Sequence, residues 1–306
     1  MKISVVIPVY NVAEFLPACL DSLCAQTFRD WTCLLVDDGS TDGSTDLCRD
    51  YAARDGRIAV RRTENRGASA ARNVGLLWAE GDAIYFCDAD DVLHPELLSC
   101  LASALESSGA DFSYVEAVEF PENGNPKFQL SSAAPVIVRD AFSLFAGQKC
   151  GFAVWHCLFR REAISDLSFP LGISRGEDRV FMFEFLKKSP RLARLSAALY
   201  GYRQRGGSMV HAGLSESVVA GCAEVMRRLA ASYSGDRRLA AIRRGEFVFM
   251  TKYLVRECER RPDAADLPRC REIVGGLLAD GVLRLSDFGL RWRWRLFRFA
   301  RRPRTP

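Results

Sequence analysis

A doubly wound α/β domain built on a mostly parallel sheet, with helices on both faces and a helical C-terminal extension, is the fold class the sequence predicts. Three observations lead there. Strand and helix signals alternate through the first 118 residues, the early strands are unbroken apolar runs, and beyond residue 215 only helical segments recur. Unbroken apolar strands belong to sheets covered on both faces, and strands that alternate with helices are joined by crossovers that set them parallel.

Ile3–Val9 is the first such strand. Asn11 is expected to N-cap the helix that follows, with Glu14 completing a capping-box pattern and Leu16, Leu20 and Leu23 on the inner face. Residues 33–36 form a second strand that breaks off at Asp37-Asp38-Gly39-Ser40. A helix over 41–51, a short strand over 58–61 and a helix over 69–80 come next. The strand at 83–87 ends in Asp88-Ala89-Asp90-Asp91, and Pro95 suits the first turn of a helix carrying Leu97, Leu98, Leu101 and Leu105. A further strand is predicted over 111–118, then a loop rich in Pro, Asn and Gly over 121–135. Residues 136–210 are mixed and less regular. Helices are predicted over 215–232, 237–260 and 264–279, punctuated by Gly235-Asp236 and Arg261-Pro262. Ligands of doubly wound sheets bind beyond the carboxyl ends of the strands. Tyr10-Asn11, Asp37-Asp38-Gly39-Ser40 and Asp88-Ala89-Asp90-Asp91 all fall at such ends.

A hydrophobic content of 48% with 26% charged residues describes a folded globular chain and excludes a disordered one. No stretch reaches the roughly 18 uninterrupted apolar residues of a spanning helix. The opening apolar run meets Pro8 too soon for the core of a signal peptide, so a cytoplasmic location is expected. The 11 cysteines include no C-x-x-C pair, which argues against structural zinc and for reduced, buried thiols. Charge is distributed unevenly. Residues 291–306 hold seven arginines and no acid; without them the net +4 becomes −3 for the rest.

Asp88, Asp90 and Asp91 crowd three carboxylates into four residues. Such charges repel and are comfortable beside a cation, and hard ions such as Mg2+ or Mn2+ take oxygen ligands shared with substrate phosphates. Taken alone, the cluster reads sooner as a solvated turn or a helix N-cap before Pro95. Its context is more specific. Pro8-Val9-Tyr10-Asn11 and Val36-Asp37-Asp38-Gly39-Ser40-Thr41-Asp42-Gly43-Ser44 come first. Asn65-Arg66-Gly67-Ala68-Ser69-Ala70-Ala71-Arg72-Asn73-Val74-Gly75-Leu76 follows, running on to Ala79-Glu80-Gly81-Asp82 and Phe86-Cys87-Asp88-Ala89-Asp90-Asp91. Gly176-Glu177-Asp178 and Tyr202-Arg203-Gln204-Arg205, with Ser208-Met209 beyond, close the series over about two-thirds of the chain. In this ordered set the chain resembles the family 2 glycosyltransferases, which have the GT-A fold, use nucleotide-sugar donors and invert the transferred sugar.

The resemblance implies a role for each block. Pro8 and Tyr10 lie against the nucleotide base, Tyr10 offering a ring face. Asp38 accepts the uracil imide N–H and so favours a uridine donor; the alternative is a cap on the next helix. Asn65, Arg72, Asp88 and Ala89 complete the nucleotide site, with a solvated surface arginine as the alternative for Arg72. Asp90 holds Mg2+ or Mn2+, with Asp88 on ribose or on the ion through water and His211 as a further candidate ligand. Asp178 is the base that takes the acceptor's proton, and Glu177 positions acceptor or sugar; both could instead cap their own helix. Arg203, Arg205, Ser208 and His156 are candidates for phosphate or acceptor contacts, with a packed core histidine as the alternative for His156. The implied enzyme passes a hexose or N-acetylhexosamine from a UDP-sugar to a saccharide or lipid-linked saccharide, in bacterial cell-surface polysaccharide or glycolipid assembly. Residues 1–212 form the catalytic domain, with a nucleotide-binding half over 1–118 and an acceptor half over 119–212; residues 213–306 form the extension.

Two rivals are weaker. A nucleotidyltransferase of similar fold needs a Gly-rich, basic loop after the first strand, where this chain has Tyr10-Asn11-Val12-Ala13-Glu14. A non-catalytic sugar-nucleotide-binding module has no use for both the 88–91 carboxylates and Glu177-Asp178. For the tail, Arg291, Arg295, Arg298 and Arg302 share a helical stripe beside Trp292, Trp294, Phe297 and Phe299, which suits an anionic membrane surface, peripheral at the inner face of the plasma membrane. A segment packed within the protein or between copies of a homo-oligomer, and a solubilising tail, are the alternatives. Residues 290–296 also alternate as a strand would. Nucleic acid is excluded as a partner by the acidic body and the lack of a reader motif.

Overall fold

The carboxyl ends of four parallel strands make one rim, and the first third of the chain is organised to build it. The computed structural model describes residues 1–173, 175–206, 215–260 and 267–301. They fall into two compact units, one of Met1–Ala141, Phe152–Leu171 and Glu184–Gly206, the other of Phe142–Gly151, Gly172–Phe183 and Gly207–Pro306. In chain order the elements begin β1 (Ile3–Val9), α1 (Leu16–Cys24), β2 (Trp31–Asp37), α2 (Ser44–Arg54), β3 (Ile58–Arg62) and α3 (Ala68–Trp78). They continue with β4 (Ala83–Phe86), β5 (Val92–Leu93), α4 (Leu97–Ser108), β6 (Phe112–Pro121), β7 (Val136–Val138) and α5 (Ala141–Ala146). Then come β8 (Cys157–Arg160), α6 (Arg161–Ile164), α7 (Glu177–Lys187), β9 (Leu192–Gln204) and α8 (Glu216–Ser232). The last are α9 (Leu239–Ile242), α10 (Val248–Arg260), α11 (Leu267–Ala279) and α12 (Leu290–Arg301).

The first unit is a sheet in the order β3-β2-β1-β4-β8-β6-β9-β5, with β7 on β9. Strands β3, β2, β1 and β4 are parallel, as the alternating pattern predicts, and β6 and β9 are parallel to each other. Strand β8 runs antiparallel between β4 and β6, and β5 and β7 run antiparallel to β9. Both faces are covered. Cys33 and Leu35 of β2 join the large core with the α1 residues Leu16, Cys19, Leu20 and Leu23, while Leu34 and Val36 pack on Ala71 of α3. Burial of each such leucine is worth about 2 kcal/mol. Helix α3 lies so close to β1 that a side chain at Gly75 would run into the Val6 methyls.

Asn11 does not cap α1. That helix starts at Leu16 with Pro17 in its first turn and has no side-chain cap; Asn11 adopts φ 48° and turns its Oδ1 to the Thr41 N–H, 2.8 Å away. Strand β9, 13 residues long, lies where the sequence shows no regular element. Its Leu-Ala-Arg-Leu-Ser-Ala-Ala-Leu run favours helix locally, and pairing with β5, β6 and β7 overrides that preference.

The second unit is helical. Ser215 caps α8, its Oγ accepting from the Val218 N–H, and α8 buries Val218, Val219, Cys222, Val225, Met226 and Leu229. The segment predicted as one helix over 237–260 is α9, a π-helical turn at Arg243–Phe247, and α10. Gly245 in that turn meets the Ala146 carbonyl so closely that no Cβ fits. The tail is helical, not extended: α12 packs through Leu296 and Phe299. None of the 11 cysteines is in a disulfide, and only Cys24 and Cys100 are not buried.

Candidate active site

Register alone brings the first two motifs together. Val9 is paired with Asp37, and Asp37 with Arg62, so Tyr10, Asp38 and Thr63 leave the sheet side by side. The Gly-Ser-Thr-Asp-Gly-Ser turn then serves as a clamp. Ser40 Oγ accepts the Asn11 N–H, Ser44 Oγ the Val12 N–H and Asp42 Oδ2 the Ala13 N–H, at 2.9–3.2 Å. Held this way, Tyr10 stays 47% exposed at the rim. Pro8 sits in β1 past its last pairing with β4, where a missing N–H costs no ladder bond.

The paired aspartates that follow β2 divide the work. Asp37 is fully buried. Burial opposes its charge, but hydrogen bonds from Thr45 and Ser40 and the nearby Arg62 outweigh that and hold its carboxyl below the ordinary range. Asp38, also buried, accepts the Arg66 N–H at 3.0 Å, the Gly67 N–H at 2.7 Å and the Thr63 hydroxyl at 3.2 Å. It thereby ties down the loop that leads into α3 and does not cap the next helix, α2, whose N-cap Gly43 has no side-chain cap. Gly39, at φ +81°, lies against the Asn65 backbone at a distance of 3.1 Å from where a Cβ would stand. Asn65 is exposed beside it.

The 88–91 turn is held from three directions. Arg72 on α3 is buried, not solvated, and its Nη2 donates to Asp88 Oδ1 at 2.9 Å. Tyr200 on β9 accepts the Asp88 N–H at 3.2 Å and donates to Asp91 Oδ2 at 2.6 Å. Asp91 Oδ1 accepts the Arg203 N–H at 2.8 Å, while Arg203 Nε donates to the Asp90 carbonyl at 2.8 Å and Arg205 Nε to Asp90 Oδ2 at 2.6 Å. Both guanidinium groups also lie over the ring of Phe15. Ala89 is buried inside the turn. Burial and then the charge of Asp88 raise the Asp90 carboxyl above its usual range, against the pull of Arg205. Burial, Asp90 and Asp88 push Asp91 up further.

His156 stacks on Tyr114 at 4.7 Å between ring centres, and its Nδ1–H donates to the Val115 carbonyl at 2.7 Å. Burial lowers its pKa to about 4, so it is neutral at physiological pH. Its neighbour Trp155 stacks on Tyr200 at 4.1 Å and lies near Tyr202 at 5.6 Å. Sequence reasoning passed over Tyr200 and Trp155. The only local signal was the end of the Leu199-Tyr200-Gly201-Tyr202-Arg203 run, legible once β9 is known to reach the rim.

Glu177 and Asp178 open α7 within the second unit, after Gly176 at φ +92°. Glu177 is buried and Asp178 half-buried. Arg179 Nε donates to the buried Glu246 at 2.8 Å. Ser208 and His211 lie outside the described residues.

Among the described residues no three His, Cys, Asp or Glu side chains are grouped as a metal cage. Asp88 and Asp90 nevertheless fit a divalent ion. Mg2+ is commonly bound by one or two carboxylates with substrate phosphates and water supplying the rest. The carboxylates of Asp88 and Asp90 sit close enough to raise the Asp90 pKa, the electrostatic state that a cation relieves. Asp91, with both oxygens committed to Tyr200 and Arg203, does not.

A parallel first half, an acidic turn at its rim and a mixed second half define a GT-A fold. Staphylococcus aureus TarS, solved with UDP-GlcNAc, superposes with a TM-score of 0.78 at 19% identity, covering 98% of this chain and 87% of that one. The Pyrobaculum calidifontis mannosyltransferase PcManGT, solved with GDP-Man and Mn2+, superposes at 0.55 and 17% identity, over 98% and 86% of the two chains. Residues 4–168 match the family described as glycosyl transferase family 2, and the chain belongs to that family. Glycosyltransferase GlyA of Streptococcus pneumoniae is 33% identical over 218 residues, 68% of this chain but only 31% of GlyA. This chain therefore spans about a third of that relative's length.

Proposed function

We propose that this chain transfers a hexose or N-acetylhexosamine from a UDP-sugar to an acceptor hydroxyl, with inversion, in assembly of a bacterial surface polysaccharide or glycolipid. The observation that carries the reading is the 88–91 turn, braced by Arg72, Tyr200, Arg203 and Arg205 on the rim that also presents Tyr10 and Asp38. TarS with UDP-GlcNAc supports the uridine donor. Residues 1–212 would carry catalysis and residues 213–306 serve as an accessory extension.

In this reading Tyr10 and Pro8 face the base, Asp38 its imide N–H, and Asn65 and Ala89 the nucleoside. Arg72, Arg203 and Arg205 place positive charge beside the diphosphate, with Ser208 as a further contact. Asp90 and Asp88, with His211 as a third ligand, would hold a divalent ion, which when bound would supply positive charge against the departing UDP. The acceptor oxygen attacks the anomeric carbon opposite the diphosphate. Its new C–O bond forms as the bond to the β-phosphate oxygen breaks, the electron pair leaves with UDP, and the proton passes to Asp178. Glu177 orients the acceptor. One carboxylate suffices, since the diphosphate departs without being protonated.

UDP release should be tested with UDP-glucose, UDP-galactose and their N-acetylated forms, with GDP-mannose as the contrasting donor. One UDP-sugar should be turned over and yield the inverted anomer; silence with all four, or preference for GDP-mannose, refutes the donor assignment. Asp178→Asn should lower turnover by at least about a thousandfold while UDP still binds, since base removal eliminates proton transfer. Wild-type turnover in that variant would reject Asp178 as the base.

A further inference from the structure

Helix α12 has two differently employed faces. Inward, Leu296 and Phe299 are buried, and Trp292 is covered by Arg295 at 4.6 Å, Arg256 at 5.4 Å and Lys252 at 5.5 Å. Arg295 also pairs with Glu259, and Arg293 donates through Nε to the Phe288 carbonyl at 2.7 Å. The helix is thus fixed on its own unit. Outward, Leu290 is 74% exposed and Trp294, one turn on, 69% exposed. Phe297 meets Trp294 edge-on at 6.3 Å, and Arg291 and Arg298 are exposed on the same stripe. No acid occurs from Phe288 to the end of the chain.

We propose that this outward face docks on an anionic lipid bilayer. A membrane interface is the environment that receives an indole and a leucine on one side and guanidinium groups on the other. At about 1.5 Å per residue the 12-residue helix is near 18 Å long, so it lies flat on the surface and does not cross it. No described helix is long and apolar enough to span. The surface charge selects the occupant. A second copy would bring arginines against arginines, and nucleic acid would satisfy the cations but leave Leu290 and Trp294 in water.

The whole chain should be sedimented with vesicles of phosphatidylcholine mixed with phosphatidylglycerol, and with phosphatidylcholine alone. Binding is expected to the mixed vesicles only and to fall with added salt. Arg291→Gln/Arg298→Gln should weaken it on the order of twentyfold, at roughly fivefold per arginine, and Trp294→Ala on the order of tenfold. The positions are exposed, so melting temperatures should not move. Equal binding to both vesicles, full binding by both variants, or no vesicle binding with self-association or nucleic-acid retention through the same residues would each overturn the proposal.

Discussion

Asp90 and Asp91 are adjacent and do opposite things. Asp91 is a strut, with its oxygens committed to Tyr200 and the Arg203 N–H. Asp91→Ala strands both donors and should cost about 2–4 kcal/mol of stability, read as a lower urea midpoint. Asp90→Asn can still accept from Arg205. It should leave stability within about 0.5 kcal/mol while abolishing UDP release. The acidic cluster was legible in the sequence. Its division of labour was not, since that depends on Tyr200, some 110 residues downstream. His156 offers a pH test. Its folded pKa of about 4 lies below the free value of 6.5, so on acidification the unfolded chain takes up the proton first. The stabilisation is complete above pH 6.5 and is lost as the pH falls toward 4, by as much as about 3 kcal/mol. Urea midpoints of His156→Gln should decline less over that interval than those of the wild type.

At the level of elements, the seam between α3 and β1 matters most, because it sets Arg72 against Asp88. Gly75 is the residue that lets the helix approach. Gly75→Ala should destabilise by about 1–3 kcal/mol through overpacking. It should also weaken UDP binding, measured by calorimetry, as α3 shifts. An unchanged melt and unchanged affinity would mean the seam yields easily. The parallel strands and their helices could be read from apolar runs and breaks alone. Strand β9 could not, because its alanines and leucines carry no period-2 pattern and only its neighbours make it a strand. The same applies to the π turn, which Gly245 adopts where the chain meets Ala146.

Over the whole molecule, ordered motifs over two-thirds of the chain were enough to anticipate the family and the GT-A fold. The second unit carries fewer such marks, and its helices were located by periodicity and punctuation alone. Its thiols now become useful. Cys150, Cys222, Cys258 and Cys270 lie in the second unit and Cys19, Cys33, Cys48, Cys87 and Cys157 in the first, all buried. Burial, the leading cause, also raises the pKa of the two partly exposed thiols, Cys24 and Cys100, so even these should alkylate slowly at neutral pH. Native protein should accept at most two maleimide labels and denatured protein 11. The sulfurs are thus a set of built-in reporters. Mass spectrometry of alkylated peptides across a denaturant series would time the opening of each unit separately, with no probe engineered into either.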